Sequence, residues 1–242
     1  MSSNIDVREQ GNKVFLITGA STGIGEATAR RAVEAGFRVV LAARSTEKLE
    51  RLQAELGNQS ALAVTCDVSS WQSQQNLVQQ TINHFGRIDV VFANAGFSSG
   101  PTFYGGEEKP DEWKEMVLVN VYGAAATARL TLPELVKNKG HLLITGSVAG
   151  RVTSTQNFYS ATKWAVTGMT QAIRNELSGT GIRVTLLNPG IVDTPFWDNL
   201  QKPELPKALE PDDVARAVIY AVSQPQHVDV NEILIRPIGQ PQ

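Results

Sequence analysis

The sequence predicts an α/β protein with three layers, α/β/α, around a doubly wound and mostly parallel sheet of seven strands. Two observations carry this prediction. Short apolar, β-branched runs alternate with longer helical patterns along the chain, and these runs are apolar throughout, which is typical of strands covered by helices on both faces. No Pro-, Ser- or Gly-rich linker interrupts the alternation over the 242 residues, so we expect a single domain spanning residues 1–242.

The predicted elements follow one another in a simple order. We predict strands at residues 14–17, 39–42, 61–65, 90–93, 142–145, 184–187 and 233–235. We predict helices at residues 23–35, 46–56, 71–85, 111–137, 159–178 and 211–223. Right-handed crossovers bring the carboxyl ends of parallel strands to one edge of the sheet. Open α/β sheets bind ligands at that edge, so the polar residues that follow the strands are candidates for one shared site.

A glycine-rich turn joins the first predicted strand to the first predicted helix. Residues 18–25 read Thr-Gly-Ala-Ser-Thr-Gly-Ile-Gly. Gly19 permits the tight turn, Gly23 lets the backbone approach a pyrophosphate, and Gly25 lets the helix sit close to the sheet. The helix N-terminus then offers free N–H groups and a partial positive charge to the phosphates. Strand, glycine turn and helix in this order predict a dinucleotide site of the Rossmann type.

Tyr159 and Lys163 form the second chemical pattern. Their spacing of four residues on a predicted helix places the phenol and the ammonium on one face. A free phenol has a pKa of about 10, and a nearby cation favours the phenolate and brings that pKa towards the range in which acid–base catalysis is efficient. Taken alone, such a pair is more commonly an ordinary surface pair.

Together these patterns resemble the short-chain dehydrogenase/reductase family, from about residue 13 to residue 237. The motifs that carry the resemblance are Thr18, Gly19, Gly23 and Gly25 in the glycine turn, Asn94-Ala95-Gly96 after the fourth strand, Asn120, Ser147, Tyr159 with Lys163, and Asn188-Pro189-Gly190 followed by Val192 and Thr194. Two details depart from the family pattern. Ser147 and Tyr159 are twelve residues apart where thirteen are expected, and Ala93 stands where an asparagine is common.

The resemblance implies four catalytic residues. Tyr159 would exchange a proton with the substrate oxygen, and Lys163 would lower the tyrosine pKa and hold the cofactor ribose. Ser147 would hydrogen-bond the same substrate oxygen. Asn120 would support a water chain leading from Lys163 to solvent. The alternative for Asn120 is a role in distorting or capping its helix.

The residues after the second strand favour NADP over NAD. The family position for an acidic ribose ligand is Ala43, and Arg44, which follows it, can bind a 2′-phosphate. A basic residue in the glycine turn, the other marker for NADP, is missing. Asp67 would accept from the adenine amino group, or alternatively cap the next helix. The predicted cofactor contacts are Gly19, Ser21, Thr22, Gly23, Ile24, Gly25, Arg44, Asp67, Val68, Asn94, Ala95, Gly96, Tyr159, Lys163, Pro189, Gly190, Val192 and Thr194.

An apolar substrate pocket is predicted beside Tyr159. The predicted substrate contacts are Ser147, Tyr159, Phe97, Phe196 and Trp197. Residues 193–210 would form a lid, because exposed aromatic side chains in a loop favour a cover over an apolar pocket. Packing of the same side chains onto the body of the fold is the alternative. Arg151 or Arg236 would be the cation available for a substrate carboxylate.

The composition excludes several other classes of function. With 22 Lys+Arg and 24 Asp+Glu the net charge is −2, without a basic run, which argues against nucleic acid or an anionic membrane as a partner. The scattered histidines predict no metal site. The single cysteine, Cys66, excludes an internal disulfide. No secretory signal or long apolar run is recognised, so we expect a cytoplasmic protein. The helices at 111–137 and 159–178 are apolar around most of their circumference, and the resemblance implies that they pair across a two-fold axis, so we expect a homodimer or homotetramer.

These patterns lead to one predicted function and three alternatives. We expect an NADP-dependent oxidoreductase that interconverts a small or medium ketone or aldehyde and its alcohol by hydride transfer, with Tyr159 as general acid/base. The alternatives are a 3-ketoacyl carrier-protein reductase, a 3-hydroxy acid dehydrogenase, and a redox sensor that binds NADP without turnover. The chain lacks the Asp-Gly-Gly near its end that is common in ketoacyl reductases, and it retains the tyrosine and lysine that sensors typically lose.

Overall fold

The computed structural model describes residues 12–99, 103–104, 110–152, 158–198, 200 and 207–240. Within these ranges, seven parallel strands form one sheet in the order β3-β2-β1-β4-β5-β6-β7. The strands are β1 (Val14–Thr18), β2 (Arg38–Ala43), β3 (Ala61–Thr65), β4 (Val90–Ala93), β5 (His141–Thr145), β6 (Arg183–Pro189) and β7 (Glu232–Ile235). The predicted fold class is therefore confirmed. The strand order reverses between β1 and β4, which creates the crevice where ligands bind in such sheets.

Helices cover both faces of this sheet. The helices are α1 (Gly23–Glu34), α2 (Thr46–Leu56), α3 (Trp71–Phe85), α4 (Asp111–Met116), α5 (Ala124–Asn138), α6 (Tyr159–Glu176) and α7 (Pro211–Val222). Alternate residues of one strand point to opposite faces, so Phe15 packs in a core with α1, α2 and α7, whereas Leu16 packs in a core with α3, α5 and α6. This arrangement explains why the strands read as apolar throughout.

The helix predicted at residues 111–137 is interrupted, which corrects the sequence prediction. A π-helical segment, Val117–Gly123, separates α4 from α5. Asn120 lies in this segment, with its side chain buried and hydrogen-bonded to neighbouring elements instead of facing solvent. Such widened turns occur mostly at functional sites, and here the widening brings a polar side chain towards the carboxyl edge of the sheet. Within the described part of the chain, no helix is both long and apolar enough to cross a membrane.

Candidate active site

Tyr159 and Lys163 occupy the first turn of α6, beside the carboxyl end of β5. Lys163 is buried, and its Nζ lies 5.5 Å from the centroid of the Tyr159 ring. The same Nζ donates a hydrogen bond of 2.8 Å to the carbonyl oxygen of Thr145, the last residue of β5. The structure therefore brings the phenol and the ammonium together, as the spacing of four residues indicates, and ties the ammonium to the sheet.

Burial dominates the pKa values of this pair. It raises the pKa of Tyr159 to about 12, and a hydrogen bond with Ser147 acts in the opposite direction. Burial also lowers the pKa of Lys163 to about 8. The expectation that Lys163 draws the tyrosine pKa downward is thus not met in this structure. Loss of water disfavours the phenolate, and the ammonium is bonded to a backbone carbonyl.

Ser147 follows β5 and caps a short 3₁₀ helix, Val148–Gly150. Its Oγ accepts from the backbone N–H of Ala149 at 3.1 Å, and its own N–H donates to Asn188 Oδ1 at 3.0 Å. The hydrogen bond between Ser147 and Tyr159 shows that the spacing of twelve residues does not separate them. Residues 153–157, which lie in the shortened loop, are outside the described residues.

Asn120 lies next to Lys163 and to the loop that follows β4. Its Oδ1 accepts from the N–H of Phe97 at 3.0 Å, and its Nδ2 donates to the Phe97 carbonyl at 2.9 Å and to Thr162 Oγ1 at 3.1 Å. A Cβ placed on Gly96 would lie 3.2 Å from Asn120 Oδ1 and 3.5 Å from Lys163 Nζ. Asn120 thus fixes the loop beside Lys163. The alternative prediction, that Asn120 marks a distorted helix, agrees with the π-helical segment, and the water chain from Lys163 stays a prediction.

The glycine turn forms a backbone cradle between β1 and α1. Gly19 and Gly23 have φ angles of +66° and +57°, in the left-handed region that favours glycine. A Cβ on Gly25 would collide with the Gly19 carbonyl, so only glycine permits this close approach. Thr22, at the N-cap of α1, makes no side-chain capping bond, which leaves N–H groups of the first turn for an anion. Ser21 and Ile24 lie half-buried in the same turn. The cradle fits the phosphates of a dinucleotide.

Arg44 and Asp67 stand at the ends of the neighbouring strands β2 and β3. Arg44 is exposed, and its charge contributes to a lowered Asp67 pKa, which results chiefly from hydrogen bonds from Ser69. Asp67 Oδ1 accepts from the Ser69 hydroxyl at 2.7 Å and from its N–H at 2.9 Å. The alternative that Asp67 caps α3 is wrong, because Ser70 is the N-cap and accepts from the N–H of Ser73.

Val68 and Asn94 contact other residues of the chain near the carboxyl ends of the strands. Val68 is buried against Gly123 of the π-helical segment. Asn94 Nδ2 donates to the Thr18 carbonyl at 3.1 Å, and Asn94 Oδ1 accepts from Thr145 Oγ1 at 3.1 Å, so the side chain connects β1, β4 and β5. The N–H of Ala95 donates to Thr18 Oγ1. The sequence did not predict that Asn94 links these strands, although polar residues at the ends of all three strands indicated such contacts.

The loop after β6 lies against the glycine turn. Pro189 ends β6, and the N–H of Gly190 donates to the Ile235 carbonyl at 2.7 Å. Val192 is buried, while the methyl group of Thr194 lies where a Cβ on Gly23 would approach it to 3.0 Å. The loop is therefore placed to close over the cofactor cradle.

Phe196 and Trp197 form a short 3₁₀ helix, Pro195–Trp197, beside the reactive tyrosine. The ring centroids of Phe196 and Tyr159 are 5.6 Å apart, and Trp197 donates from Nε1 to the Val192 carbonyl at 2.9 Å. Both rings are half-buried, one packed on Tyr159 and the other anchored to the loop, so the lid stays a prediction and the alternative of packing onto the fold stays open. Of the predicted lid at 193–210, residues 199 and 201–206 lie outside the described part of the chain.

A second aromatic group, which sequence reasoning missed, stands at the start of α6. Phe158 stacks on Trp113 at a centroid distance of 5.2 Å, and Phe103 contacts both rings. Phe97 is half-buried, with its backbone held by Asn120. The three rings come from distant parts of the sequence, so no local spacing indicates that they meet.

Arg151 is engaged in an ion pair, which corrects its predicted availability for a substrate carboxylate. Its guanidinium forms two hydrogen bonds with the carboxylate of Glu232, one of them from Nε to Oε1 at 2.7 Å. Arg236 packs its side-chain carbons near Gly190. Among the residues described, no group of three or more His, Cys, Asp or Glu side chains is placed to hold a metal ion.

A doubly wound parallel sheet, with a glycine cradle and with Tyr159 beside a buried Ser147 and Lys163 at its carboxyl edge, is typical of nucleotide-dependent oxidoreductases. The family model for short chain dehydrogenases matches residues 13–205. The chain belongs to the short-chain dehydrogenase/reductase family and is an oxidoreductase of that type.

Relatives and solved structures agree with this assignment. The chain is 42% identical over 231 residues to a protein of Staphylococcus aureus (strain USA300) described as an uncharacterised oxidoreductase, with 94% of this chain and 98% of that protein covered. It resembles an alcohol dehydrogenase from the archaeon Thermococcus sibiricus complexed with 5-hydroxy-NADP, at 34% identity, TM-score 0.85 and coverage of 95% and 98%. It also resembles a serine dehydrogenase complexed with NADP+, at 29% identity, TM-score 0.89 and coverage of 95% and 96%. A 3-ketoacyl-(acyl-carrier-protein) reductase from Brucella melitensis complexed with NADH is similar at 31% identity, TM-score 0.83 and coverage of 93% and 98%.

Proposed function

We propose that the protein interconverts a small or medium apolar ketone or aldehyde and its alcohol, with NADP(H) as the hydride carrier. The observation that carries the proposal is the hydrogen bond between Ser147 and Tyr159, formed beside Lys163 and next to the glycine cradle. The hydroxyl groups of Ser147 and Tyr159, at the sheet edge next to the glycine turn, can both donate hydrogen bonds to a carbonyl oxygen that gains negative charge during reduction.

Each catalytic side chain has a separate task in the proposed reaction. The nicotinamide, when bound, supplies the hydride in reduction and accepts it in oxidation. Tyr159 donates its phenolic proton to the carbonyl oxygen, and Ser147 stabilises the developing charge on the same oxygen. Lys163 lies beside the phenol and, with groups near Asn120, would return a proton from solvent to the phenolate. With a pKa of about 8, Lys163 is largely protonated at neutral pH.

The cofactor is proposed to lie along the carboxyl edge from β3 to β6. Backbone N–H groups at Gly19–Gly25 would hold the phosphates, Asp67 and Val68 the adenine, Asn94-Ala95-Gly96 the adenosine ribose side, and Val192 with Thr194 the carboxamide. The similar structures with NADP or NADH complexes support a nicotinamide dinucleotide without deciding between the two forms.

Arg44 is proposed to select NADP. The side chain is exposed at the end of β2, and the preceding residue, Ala43, brings no carboxylate to repel a 2′-phosphate. A hydrogen bond to a charged group contributes about 1.5–3 kcal/mol, so Arg44→Ala should weaken NADPH about ten- to hundredfold and leave NADH nearly unchanged. Fluorescence titration with both cofactors tests this. An unchanged ratio of the two dissociation constants in the variant would refute the role of Arg44.

The aromatic side chains near Tyr159 support an apolar substrate. Phe196 and Trp197 approach the phenol from the loop after β6, and Phe158 with Trp113 stands at the start of α6. Arg151 is neutralised by Glu232, which argues against a carboxylate anchor at that position. An uncharged ketone or aldehyde therefore fits the described surroundings better than a small hydroxy acid.

The decisive experiment measures NADPH oxidation with a panel of aldehydes, ketones, semialdehydes and 3-ketoesters. We expect turnover with apolar carbonyl compounds and its loss, by several orders of magnitude, in Tyr159→Phe. Cofactor binding by this variant, measured by fluorescence, controls for folding. Tight NADPH binding without turnover on any carbonyl compound would favour the redox-sensor alternative instead.

Two enzyme alternatives are kept because solved structures resemble the chain. A 3-ketoacyl carrier-protein reductase is among the similar structures, and a preference for the 3-ketoesters in the panel would favour that function. A serine dehydrogenase is also among them, so 3-hydroxy acids belong in the oxidative panel.

We also propose a homodimer or homotetramer that acts in the cytoplasm as a single domain. Val117, Tyr122 and Trp164 are large apolar side chains, each more than a third exposed, on the π-helical segment and α6. An interface between copies would cover them. Light scattering of the purified protein measures the number of copies, and a monomer at micromolar concentration would contradict the proposal.

A further inference from the structure

A polar network connects Ser147 to the last strand of the sheet. Asn188 is completely buried in β6, and its Oδ1 accepts the hydrogen bond from the Ser147 N–H at 3.0 Å. Its Nδ2 donates to Glu232 Oε1, at the start of β7, at 2.6 Å. Glu232 in turn binds the guanidinium of Arg151 through two hydrogen bonds. Ser147 and Arg151 flank the 3₁₀ helix, and hydrogen bonds therefore connect both of them to the same pair, Asn188 and Glu232.

The chemistry of the network fixes the orientation of the Asn188 amide. Its oxygen must face the Ser147 N–H, and its NH₂ must face the carboxylate of Glu232, so a flipped amide would lose both bonds. The amide oxygen also lies where a Cβ on Gly146 would overlap it, so the residue before Ser147 has to be glycine for this contact. The network thus determines where the backbone of Ser147 sits relative to α6.

We propose that Asn188 and Glu232 are positioning residues that hold Ser147 in the place where its hydroxyl meets Tyr159 and the substrate oxygen. The proposal rests on the proposed function of Ser147 and Tyr159 as the proton-handling pair. Displacement of a catalytic group by about 1 Å can lower turnover on the order of a hundredfold, although binding is retained. In this proposal Asn188 and Glu232 act through Ser147.

The test exchanges the donor and acceptor roles in the network. Asn188→Asp keeps an oxygen for the Ser147 N–H but places a second carboxylate against Glu232. We expect a fall in kcat of about ten- to hundredfold, with an unchanged dissociation constant for NADPH. Adding Glu232→Gln in the same chain supplies an NH₂ group to the new carboxylate and an oxygen to Arg151. This double variant should recover most of the wild-type kcat.

A second readout does not depend on knowing the substrate. The ionisation of Tyr159 is followed through the ultraviolet tyrosinate band, with Tyr159→Phe as the blank. Because the bond from Ser147 lowers the pKa of Tyr159, Asn188→Asp should raise that pKa and the double variant should restore it. If the wild type turns over no carbonyl compound, the proposed function fails, yet an unchanged Tyr159 pKa in Asn188→Asp would still contradict the positioning of Ser147.

The matched control is Asp212→Asn. It breaks another ion pair with two hydrogen bonds, to Arg31 at 2.6 and 2.7 Å, between α1 and α7 and away from Ser147. We expect unchanged kcat and unchanged Tyr159 ionisation in this variant. Should Asn188→Asp fail to fold, Arg151→Lys tests the other end of the network, with a smaller loss of kcat expected. Wild-type kcat and wild-type Tyr159 pKa in a folded Asn188→Asp variant would overturn the proposal, as would equal losses in Asp212→Asn.

Discussion

Replacing His141 by glutamine should remove most of the pH dependence of stability between pH 7 and pH 5. His141 begins β5 and is completely buried, with Nε2 2.7 Å from Thr185 Oγ1. Burial holds its pKa well below the usual 6.5, and the positive charge of Arg183 acts in the same direction. The folded protein therefore keeps this imidazole neutral, whereas the unfolded chain takes up a proton as the pH falls below about 6.5.

The direction and the size of this pH effect on stability follow from the linkage between proton binding and folding. Where the unfolded state binds more protons, the free energy of unfolding rises with pH, so stability is complete above pH 6.5 and is lost as the pH falls below it. If the folded histidine stays neutral, one proton with an unfolded pKa of about 6.5 costs about 2 kcal/mol at pH 5 relative to pH 8. Glutamine can still bond Thr185 but does not titrate, so this loss should disappear in the variant.

The other groups with shifted pKa values titrate outside the range from pH 5 to pH 7. The pKa values of Asp67 and Asp212 are lowered from an already acidic value, so their stabilisation is lost only as the pH falls below about 4. Lys163, at about 8, and Tyr159, at about 12, act at alkaline pH. Urea unfolding at pH 5, 6, 7 and 8 measures the slope, with His84→Gln, an exposed histidine at the end of α3, as control. Equal slopes in wild type and His141→Gln would refute the reasoning.

Three further substitutions test the site. Ser147→Ala should lower kcat about ten- to hundredfold or more, because a hydrogen bond to a charged oxygen contributes about 1.5–3 kcal/mol; steady-state kinetics measures this, and unchanged kcat would exclude the serine from the reaction. Trp113→Ala should raise KM for the largest apolar carbonyl substrates more than for the smallest, and equal changes would show that the ring lies outside the pocket. Asn94→Ala should lower the free energy of unfolding by about 1–3 kcal/mol, since the part-buried hydrogen bonds of its side chain to Thr18 and Thr145 are lost. Denaturant titration measures it, and a loss below about 0.5 kcal/mol would contradict the role of Asn94 in linking these strands.

Most of the fold was predictable because its signals are local. Apolar runs marked all seven strands within about two residues, and the bounds of α2 and α3 matched those predicted. The break in the helix at 111–137 was not predictable from periodicity. It depends on where the side chain of Asn120 finds its hydrogen-bond partners, Phe97 and Thr162, which are distant in sequence.

The candidate site was predictable where a motif joins adjacent residues and not where distant elements meet. The glycine turn and the Tyr159–Lys163 spacing are legible in the sequence, and the structure places both at the same edge of the sheet. The Asn188–Glu232–Arg151 network and the stacking of Phe158 on Trp113 each join separate elements without a fixed spacing. The sequence left Arg151 as one of two candidate cations for a substrate carboxylate, because its partner Glu232 lies 81 residues away.

The raised pKa of Tyr159 bears on its protonation at neutral pH, which the spacing of Tyr159 and Lys163 alone did not indicate. Burial raises this pKa to about 12, so the phenol keeps its proton at neutral pH and can donate it. Proton donation accompanies carbonyl reduction, whereas alcohol oxidation requires the phenolate. Burial also lowers the pKa of Lys163 to about 8, so the two pKa values are shifted in opposite directions. The hydrogen bond with Ser147 favours the phenolate, so if Asn188 and Glu232 hold Ser147 in place, as we propose, they also contribute to the acidity of Tyr159.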